Sequence, residues 1–231
     1  MNIEVIEARD LSEAWFLCLA KTSVYGREYK IDRGSYAGQR RKELDFVIVH
    51  VRNPGTRPLV PTVPQGVPPP TSMEYILSYL PYLMTSHKGE GEQYTYGQYL
   101  EKQIPQVIRM YKENGYNTNQ AFMAVGDERS IFLADPPCLR GIDTRIRDGR
   151  LNFIAYFRSW DLWAGFPSNL AAIQLLKEYM ADEIGVDDGE LIASSKGLHL
   201  YEHAWDLAQI TARTQYEMER LKKGQLELPF S

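Results

Sequence analysis

Residues 135–169 read DPPCLRGIDTRIRDGRLNFIAYFRSWDLWAGFPSN, and they carry the clearest structural pattern of the chain. Apolar and polar residues alternate over residues 142–147, Asp148-Gly149 follows, and a second alternating run covers residues 151–157. Two alternating runs joined by Asp-Gly predict a β-hairpin with a two-residue turn. A strongly apolar helix is expected after it, from Asn169 to about residue 184.

The reactive residue types of the chain gather around this hairpin. Cys138 follows two prolines, which fix the backbone that presents the thiol. The Arg158-Ser159 pair closes the second strand, and Asn169 stands where the helix is expected to begin. We interpret the stretch as an active site, in which a nearby guanidinium would lower the pKa of the thiol.

Two plainer interpretations remain open on these residues alone. Cys138 is equally consistent with a small buried apolar residue that follows a Pro-Pro turn. Asn169 is equally consistent with a helix N-cap, although its amide could also read the edge of a nucleobase, because it combines one acceptor with one donor group.

Composition limits the functional class. The chain has 231 residues, a formal charge of −4 with acidic and basic residues interspersed, and two cysteines, Cys18 and Cys138. We expect one domain over residues 1–231, a cytoplasmic protein without a disulfide, and neither nucleic acid nor a membrane as partner. Cys18 lies on the apolar face of a predicted helix and is assigned to the core.

The remaining pattern alternates strands and helices, so the class is α+β with a mixed sheet packed by helices. Strands are predicted at residues 1–6, 46–51, 120–125, 131–133, 191–194 and 198–201, and helices at residues 11–19, 71–83, 98–114 and 204–223. Pro81 should kink the second helix or end it early.

Two further features have a functional and a plain interpretation. Residues 31–39 are rich in glycine and small polar residues and precede Arg40 and Arg41, so they form either a phosphate-binding loop or a solvated connection. Glu74 lies in the first turn of a predicted helix, where an exposed carboxylate is favoured by the helix dipole.

A metal site is not expected. Of the four histidines, His199 and His203 share an i,i+4 spacing, but Glu202 between them does not complete the zinc-protease pattern. No cysteine accompanies them, which argues against structural zinc.

Several separated motifs together resemble the C-terminal half of folate-dependent thymidylate synthases. They are Pro136-Pro137-Cys138, the hairpin with Asp148-Gly149-Arg150-Leu151, Phe157-Arg158-Ser159-Trp160-Asp161, the run GFPSNLA at residues 165–171, Gly189-Glu190-Leu191-Ile192 and His199-Leu200-Tyr201. Their order and intervals are similar to that family's without a gap. The N-terminal half matches loosely, and residues 117–120 look most like the short archaeal form.

The resemblance implies a mechanism in which Cys138 adds to C6 of a pyrimidine nucleotide and activates C5 toward a methylene group on a reduced pterin. The implied substrate residues are Arg33, Arg158 and Ser159 for the 5′-phosphate, Asn169 for the N3 and O4 edge, and His199 with Tyr201 for the ribose hydroxyl. Asp161 and Gly165 would face the pterin, Glu74 would manage proton transfers, and Tyr96 would position a catalytic water.

The implied cofactor is 5,10-methylenetetrahydrofolate or methylenetetrahydromethanopterin, and the implied assembly is a homodimer formed through the sheet. The expected reaction is conversion of dUMP to dTMP. The alternatives are a hydroxymethylase acting on dUMP, dCMP or CMP and, from another class, a non-catalytic nucleotide- or RNA-binding relative.

The chain also departs from the family's pattern. Bacterial members carry His after the nucleophile and Gln before Arg-Ser, where this chain has Leu139 and Phe157. Their two consecutive arginines, which reach the partner's phosphate across the dimer, align with Thr118 and Asn119. The candidates to replace them are Arg40, Arg41 and Arg140. The C-terminal tail that closes over the folate is not recognisable in residues 226–231.

Overall fold

Two mixed β-sheets organise the chain in the computed structural model, which describes residues 1–34 and 36–222. In chain order the elements are β1 (Ile3–Ala8), α1 (Leu11–Tyr25), β2 (Arg27–Lys30), β3 (Arg40–Leu44), β4 (Phe46–Val51), α2 (Met73–Met84), α3 (Gly97–Leu100), α4 (Gln103–Asn114), β5 (Phe122–Ala124), β6 (Leu139–Arg147), β7 (Arg150–Phe157), β8 (Trp160–Asp161), α5 (Gly165–Ile184), β9 (Asp187–Ser195), β10 (Leu198–Tyr201) and α6 (Trp205–Lys222). The predicted α+β class is confirmed. The end of the predicted last helix and the tail at residues 226–231 lie outside the described residues.

The larger sheet has the strand order β1-β4-β9-β7-β6-β5, with parallel pairing of β1 to β4 and of β7 to β9. Helices α1, α4 and α5 pack on one face of it. The apolar stripe predicted for α5, which includes Leu170, Ile173, Leu176 and Met180, is buried against the sheet. All buried apolar residues of the described chain except Ile31 form one connected core.

The smaller sheet, with the order β2-β3-β10-β8, brings together residues that are distant in the sequence. Tyr201 pairs with Arg41 of the neighbouring antiparallel strand, and His199 pairs with Asp161 on the other side. Strands β2 and β3 read REYK and RRKEL, so they lack the apolar alternation by which strands are predicted.

The predicted hairpin is present as β6 and β7. Asp148 and Gly149 form its turn with φ angles of 51° and 72°. A two-residue turn of this kind requires positive φ at both positions, which Asp-Gly tolerates.

The register of the β6–β7 ladder shifts by one residue at Arg140, which bulges from β6. Because of this shift, the backbone N–H of Arg158 donates to the carbonyl of Cys138 at 2.8 Å. An unbroken ladder would set Ser159 opposite Cys138 instead. The bulge therefore decides which residue faces the thiol.

The prediction of a buried strand at residues 131–133 is wrong. Ser130–Phe132 forms a 3-10 turn, in which Ile131 is 67% and Phe132 84% exposed. The side chain of Asp127 accepts hydrogen bonds from the backbone N–H groups of Arg129 and Ser130, which turns the chain before a strand can form.

Prolines lie in the terminal turns of three helices. Pro81 lies in the last turn of α2 and does not end it, since Thr85 still donates to the Pro81 carbonyl. The helix predicted over residues 98–114 is divided into α3 and α4, with Pro105 in the first turn of α4, where its missing N–H costs little. Likewise α5 begins at Gly165, and Pro167 lies in its first turn.

Gly97, at the start of α3, lies directly against the backbone of Thr85. A Cβ atom added to it would lie 1.9 Å from the Thr85 carbonyl oxygen. We expect Gly97→Ala to lower the free energy of unfolding by about 3 kcal/mol, measured by urea denaturation, because two backbone segments must separate.

Gly89→Ala is the matched control. The nearest atom to its added Cβ belongs to the carboxylate of Glu92, at 3.4 Å. That side chain can move, so the change should stay below about 0.5 kcal/mol. Equal losses in the two variants would contradict the close packing at Gly97.

Candidate active site

A cavity of about 470 Å³ lies at the open end of the hairpin, between it and the smaller sheet. Its volume is within the range of small-molecule sites. Seven of the sequence-predicted residues line it: Arg33, Cys138, Arg158, Ser159, Asp161, His199 and Tyr201. Tyr36, Arg41 and Asp135 line it as well.

Arg158 holds the segment that carries the thiol. Its guanidinium donates to the carbonyl oxygens of Pro136 and Pro137, and its Nη2 lies 2.7 Å from a carboxylate oxygen of Asp135. Arg158 is therefore a structural clamp as well as a cation in the cavity.

In the protein without ligand, the net shift in the pKa of the thiol is opposite to the expected one. Burial raises the pKa of Cys138 above its ordinary value, and the carboxylates of Asp135 and Asp161 act in the same direction. Arg158 acts in the opposite direction but does not outweigh them. The physical reason is that Cys138 is half-buried and that Arg158 is already paired with Asp135.

His199 presents an acceptor to the cavity. The ring is 2% exposed, and its Nδ1 lies 2.8 Å from the carbonyl of Gly197. Burial lowers the pKa of His199 to about 4, so the ring is neutral at pH 7 and the hydrogen is on Nδ1. Nε2 is buried and has no hydrogen-bond partner among the described residues, which makes it a candidate acceptor for a ligand hydroxyl.

Arg41, Tyr36 and Tyr201 also form part of the cavity wall. Arg41 donates to the hydroxyl of Tyr29 and pairs with Glu43 at 2.9 Å, which holds it in β3. The ring of Tyr201 lies 4.3 Å from that of Tyr36, between centroids. The sequence named Arg41 only as one of three possible replacements and did not single out Tyr36. The position of Tyr36 near Arg33, in the glycine-rich loop, was the feature that could have predicted it.

Of the three candidate replacements for the arginine pair, Arg41 alone lines the cavity. Arg40 forms ion pairs with Glu28 and Glu202 on the surface. Arg140 lies beside Gly126, on the β5 side of the bulge.

Asp161 fixes the start of α5. Its carboxylate accepts the backbone N–H groups of Trp163, Ala164 and Gly165 at 2.9–3.2 Å. One oxygen takes two of these bonds and the other takes one, so the second oxygen keeps an acceptor site. A Cβ at Gly165 would lie 3.2 Å from the Cβ of Asp161 and 3.5 Å from its Oδ2, so glycine avoids a tight contact with this side chain.

Asn169 lies in the second turn of α5 and is not its N-cap, so that interpretation is wrong. It is half-buried and stands with Tyr79, Tyr96, Leu139 and others in a narrow crevice apart from the residues that line the main cavity. Because Leu139 follows Cys138 directly, this crevice lies next to the thiol.

Tyr96 is 6% exposed, and its hydroxyl accepts the backbone N–H of Leu139 at 3.3 Å. It therefore lies beside the nucleophile candidate, as the motif implies. Glu74 differs, since it is exposed in the first turn of α2 and does not line the cavity. The start of α2 does reach α5, because the Ser168 hydroxyl donates to that of Thr71 at 2.8 Å.

Within the side chains described, those of residues 1–34 and 36–213, no three His, Cys, Asp or Glu are grouped as a metal site requires. No helix in this part of the chain is long and apolar enough to span a membrane.

The sequence matches known proteins over most of its length. The family model described as thymidylate synthase matches residues 86–228. A Methanosarcina acetivorans protein named "Putative thymidylate synthase" is 28% identical over 213 residues, which cover 89% of this chain and 93% of the relative. A Methanopyrus kandleri protein of the same name is 24% identical, covering 86% and 93%.

A thymidylate synthase of Listeria monocytogenes is 32% identical over 120 residues, which cover 52% of this chain and 38% of that protein. The matched segment of the family model includes Tyr96 and extends beyond Tyr201, so it contains most of the cavity wall. The chain therefore belongs to the thymidylate synthase family, whose members are pyrimidine nucleotide C5-methyltransferases with a folate-type one-carbon donor.

Proposed function

We propose that this protein converts dUMP to dTMP, with Cys138 as the nucleophile. The observation that supports the proposal is the convergence on one cavity of a thiol, three arginines and a buried histidine acceptor. A nucleotide offers one matching group for each: an electrophilic carbon, a phosphate and a ribose hydroxyl.

Arg33, Arg158 and Ser159 hold the 5′-phosphate in this proposal, and Arg41 takes the part of the missing arginine pair. Arg158 is bonded to Asp135 in the protein without ligand, so a phosphate dianion must compete with this carboxylate. The phosphate would then replace this carboxylate as a partner of the Arg158 guanidinium.

His199 and Tyr201 bind the ribose. The neutral His199 ring accepts from a ribose hydroxyl through Nε2, which is buried without another partner in the described chain. A buried acceptor left without a donor costs about 1–3 kcal/mol, so this contact favours ligands that carry the hydroxyl.

The chemical step begins with attack of the Cys138 sulfur on C6 of the pyrimidine. The thiol loses its proton to solvent and the sulfur supplies the electron pair of the new S–C6 bond. The π electron pair of the C5–C6 double bond shifts to C5, which becomes the nucleophile. Asn169 holds the N3 and O4 edge of the base. Tyr96 orients a water beside the thiol, and Glu74 relays protons, as the family resemblance implies.

The one-carbon donor, 5,10-methylenetetrahydrofolate or methylenetetrahydromethanopterin, supplies a methylene group and a hydride when bound. The Asp161 carboxylate fits the N–H edge of a pterin, since it lines the cavity and keeps one acceptor site. Asp161 thus orients the donor, while its bonds to the start of α5 keep the carboxylate fixed.

Mass analysis of the product tests the reaction. Incubation with dUMP and 5,10-methylenetetrahydrofolate should raise the mass of the nucleotide by one CH2 unit, because a methyl group replaces the hydrogen on C5. Cys138→Ser should reduce turnover by about 10⁴-fold or more and leave dUMP binding nearly unchanged, because the nucleophile is lost but the phosphate and ribose contacts remain. A hydroxymethyl mass gain with dUMP, dCMP or CMP would contradict the synthase assignment, and full turnover by Cys138→Ser would contradict the covalent mechanism.

The pH dependence of the thiol provides a separate test. Because burial raises the pKa of Cys138, the rate of its alkylation by iodoacetamide in the free protein should still be rising between pH 8 and pH 9. Cys18 is 0% exposed and should not react in the native protein, so Cys138→Ser is the control for background labelling. A plateau below pH 8 would mean that Arg158 dominates.

We also propose that residues 1–231 form one domain and that two copies associate through the larger sheet. The face of this sheet opposite the helices carries apolar residues that are more than a third exposed, namely Ile3, Val5, Phe122, Ile154 and Tyr156. Cross-strand pairing places Ile154 beside Ile192 and Val5 beside Ile48, which extends the apolar surface across neighbouring strands. Exposed apolar side chains gathered on one face of a sheet support its assignment as a protein interface.

Sedimentation analysis should find a dimer at micromolar concentration, and Ile154→Lys should shift it to a monomer, because a buried unpaired charge opposes association. Val24→Lys is the matched control, since Val24 is 70% exposed on α1, away from this face. A monomeric unmodified protein would contradict the proposed assembly.

A further inference from the structure

The side-chain amide of Asn169 is held by two aromatic residues. The indole Nε1 of Trp160 donates to Oδ1 of Asn169 at 3.0 Å, and Nδ2 of Asn169 donates to the hydroxyl of Tyr79 at 3.0 Å. An indole N–H can only donate, so the amide atom that faces Trp160 must be the oxygen. The orientation of the amide is therefore fixed by chemistry.

Trp160 cannot turn away from this contact. It is 2% exposed, and its ring lies between those of Phe157 and Phe166, at centroid distances of 4.1 Å and 4.4 Å. Phe157 is nearly parallel to it, at 6°. Phe157 occupies the place before Arg158-Ser159 where bacterial members of the family carry glutamine, so this departure serves to hold Trp160.

These two bonds leave Asn169 one lone pair on Oδ1 and one hydrogen on Nδ2. Uracil offers a donor at N3 and an acceptor at O4, which match this remaining pair. Cytosine offers an acceptor at N3 and a donor at N4, so it would require the amide to turn over. A turned amide would set its NH₂ group against the indole N–H, with two donors facing each other in a buried place.

We propose that Trp160 is the positioning residue that selects uracil over cytosine, by preventing the Asn169 amide from turning over. The inference rests on the proposed function, in which Asn169 reads the base.

Tyr79 has a different part, although it also bonds to the amide. A phenol hydroxyl donates or accepts, so Tyr79 satisfies either orientation of Asn169. Tyr79 therefore stabilises the Asn169 side chain but does not favour one orientation of its amide over the other. Loss of the Tyr79 hydroxyl should therefore weaken both nucleotides alike, which makes Tyr79 a matched control.

The test measures equilibrium binding of dUMP and dCMP by calorimetry, in a Cys138→Ser background that cannot react. Trp160→Phe keeps an aromatic ring in the stack and removes the donor. We expect the ratio of dCMP to dUMP affinity to rise by about tenfold, the effect of relieving one unsatisfied buried donor. Tyr79→Phe should leave this ratio within about twofold.

A second form of the test places benzothienylalanine at position 160, which exchanges the N–H for sulfur at nearly the same shape and applies if Trp160→Phe does not fold. An unchanged ratio in the folded variant overturns the inference while dUMP binding still supports the proposed function. An equal rise of the dCMP-to-dUMP affinity ratio in Trp160→Phe and Tyr79→Phe also overturns it, since the effect would then come from general loosening of the packing around Asn169. Failure of the background protein to bind dUMP overturns the proposed function itself.

Discussion

The hydrogen bond from the backbone N–H of Arg158 to the carbonyl of Cys138 closes the open end of the β6–β7 hairpin, and the site is arranged about it. It exists in this register because Arg140 bulges from β6. The guanidinium of Arg158 donates to the carbonyl oxygens of the two prolines before the thiol. The backbone of Arg158 therefore holds Cys138 itself, and its side chain holds the residues that precede it. The pairing of two strands thereby positions the thiol, at a lower cost in conformational entropy than ordering a free loop would have.

The electrostatics of the site follow from this arrangement. A cation that serves as a clamp must have partners, and Asp135 is one of them. The thiol consequently experiences the guanidinium and its counter-ion together, with burial added. Arginine close to cysteine in sequence motifs therefore does not by itself predict an activated thiolate. In the protein without ligand, burial and the carboxylates of Asp135 and Asp161 together hold the pKa of Cys138 above its ordinary value.

Much of the fold was predictable where local pattern and tertiary environment agree. The hairpin has a strict alternation and an Asp-Gly turn, and the buried stripe of α5 has helical spacing, so both were found. Strands β2 and β3 were not predicted, because their residues are largely polar and they are held in the sheet by backbone pairing. Without these strands, the sequence could not predict that Arg41 lies beside Tyr201, because this contact depends on the register between β3 and β10. The predicted strand at residues 131–133 failed because the Asp127 side chain satisfies nearby N–H groups locally. The bulge and the bond from Trp160 to Asn169 depend on tertiary contacts that no sequence pattern records.

The Asp148-Gly149 turn lies at the far end of the hairpin from Cys138, and this separation has a consequence for how related sequences can vary in length. Residues added in pairs, one to each strand beside the turn, lengthen the hairpin and leave every existing cross-strand partner unchanged. A single residue added within one strand reverses the faces of all side chains beyond it. Length variation at this turn is therefore compatible with a constant pairing of thiol and arginine, whereas the segment between Arg140 and the thiol admits none.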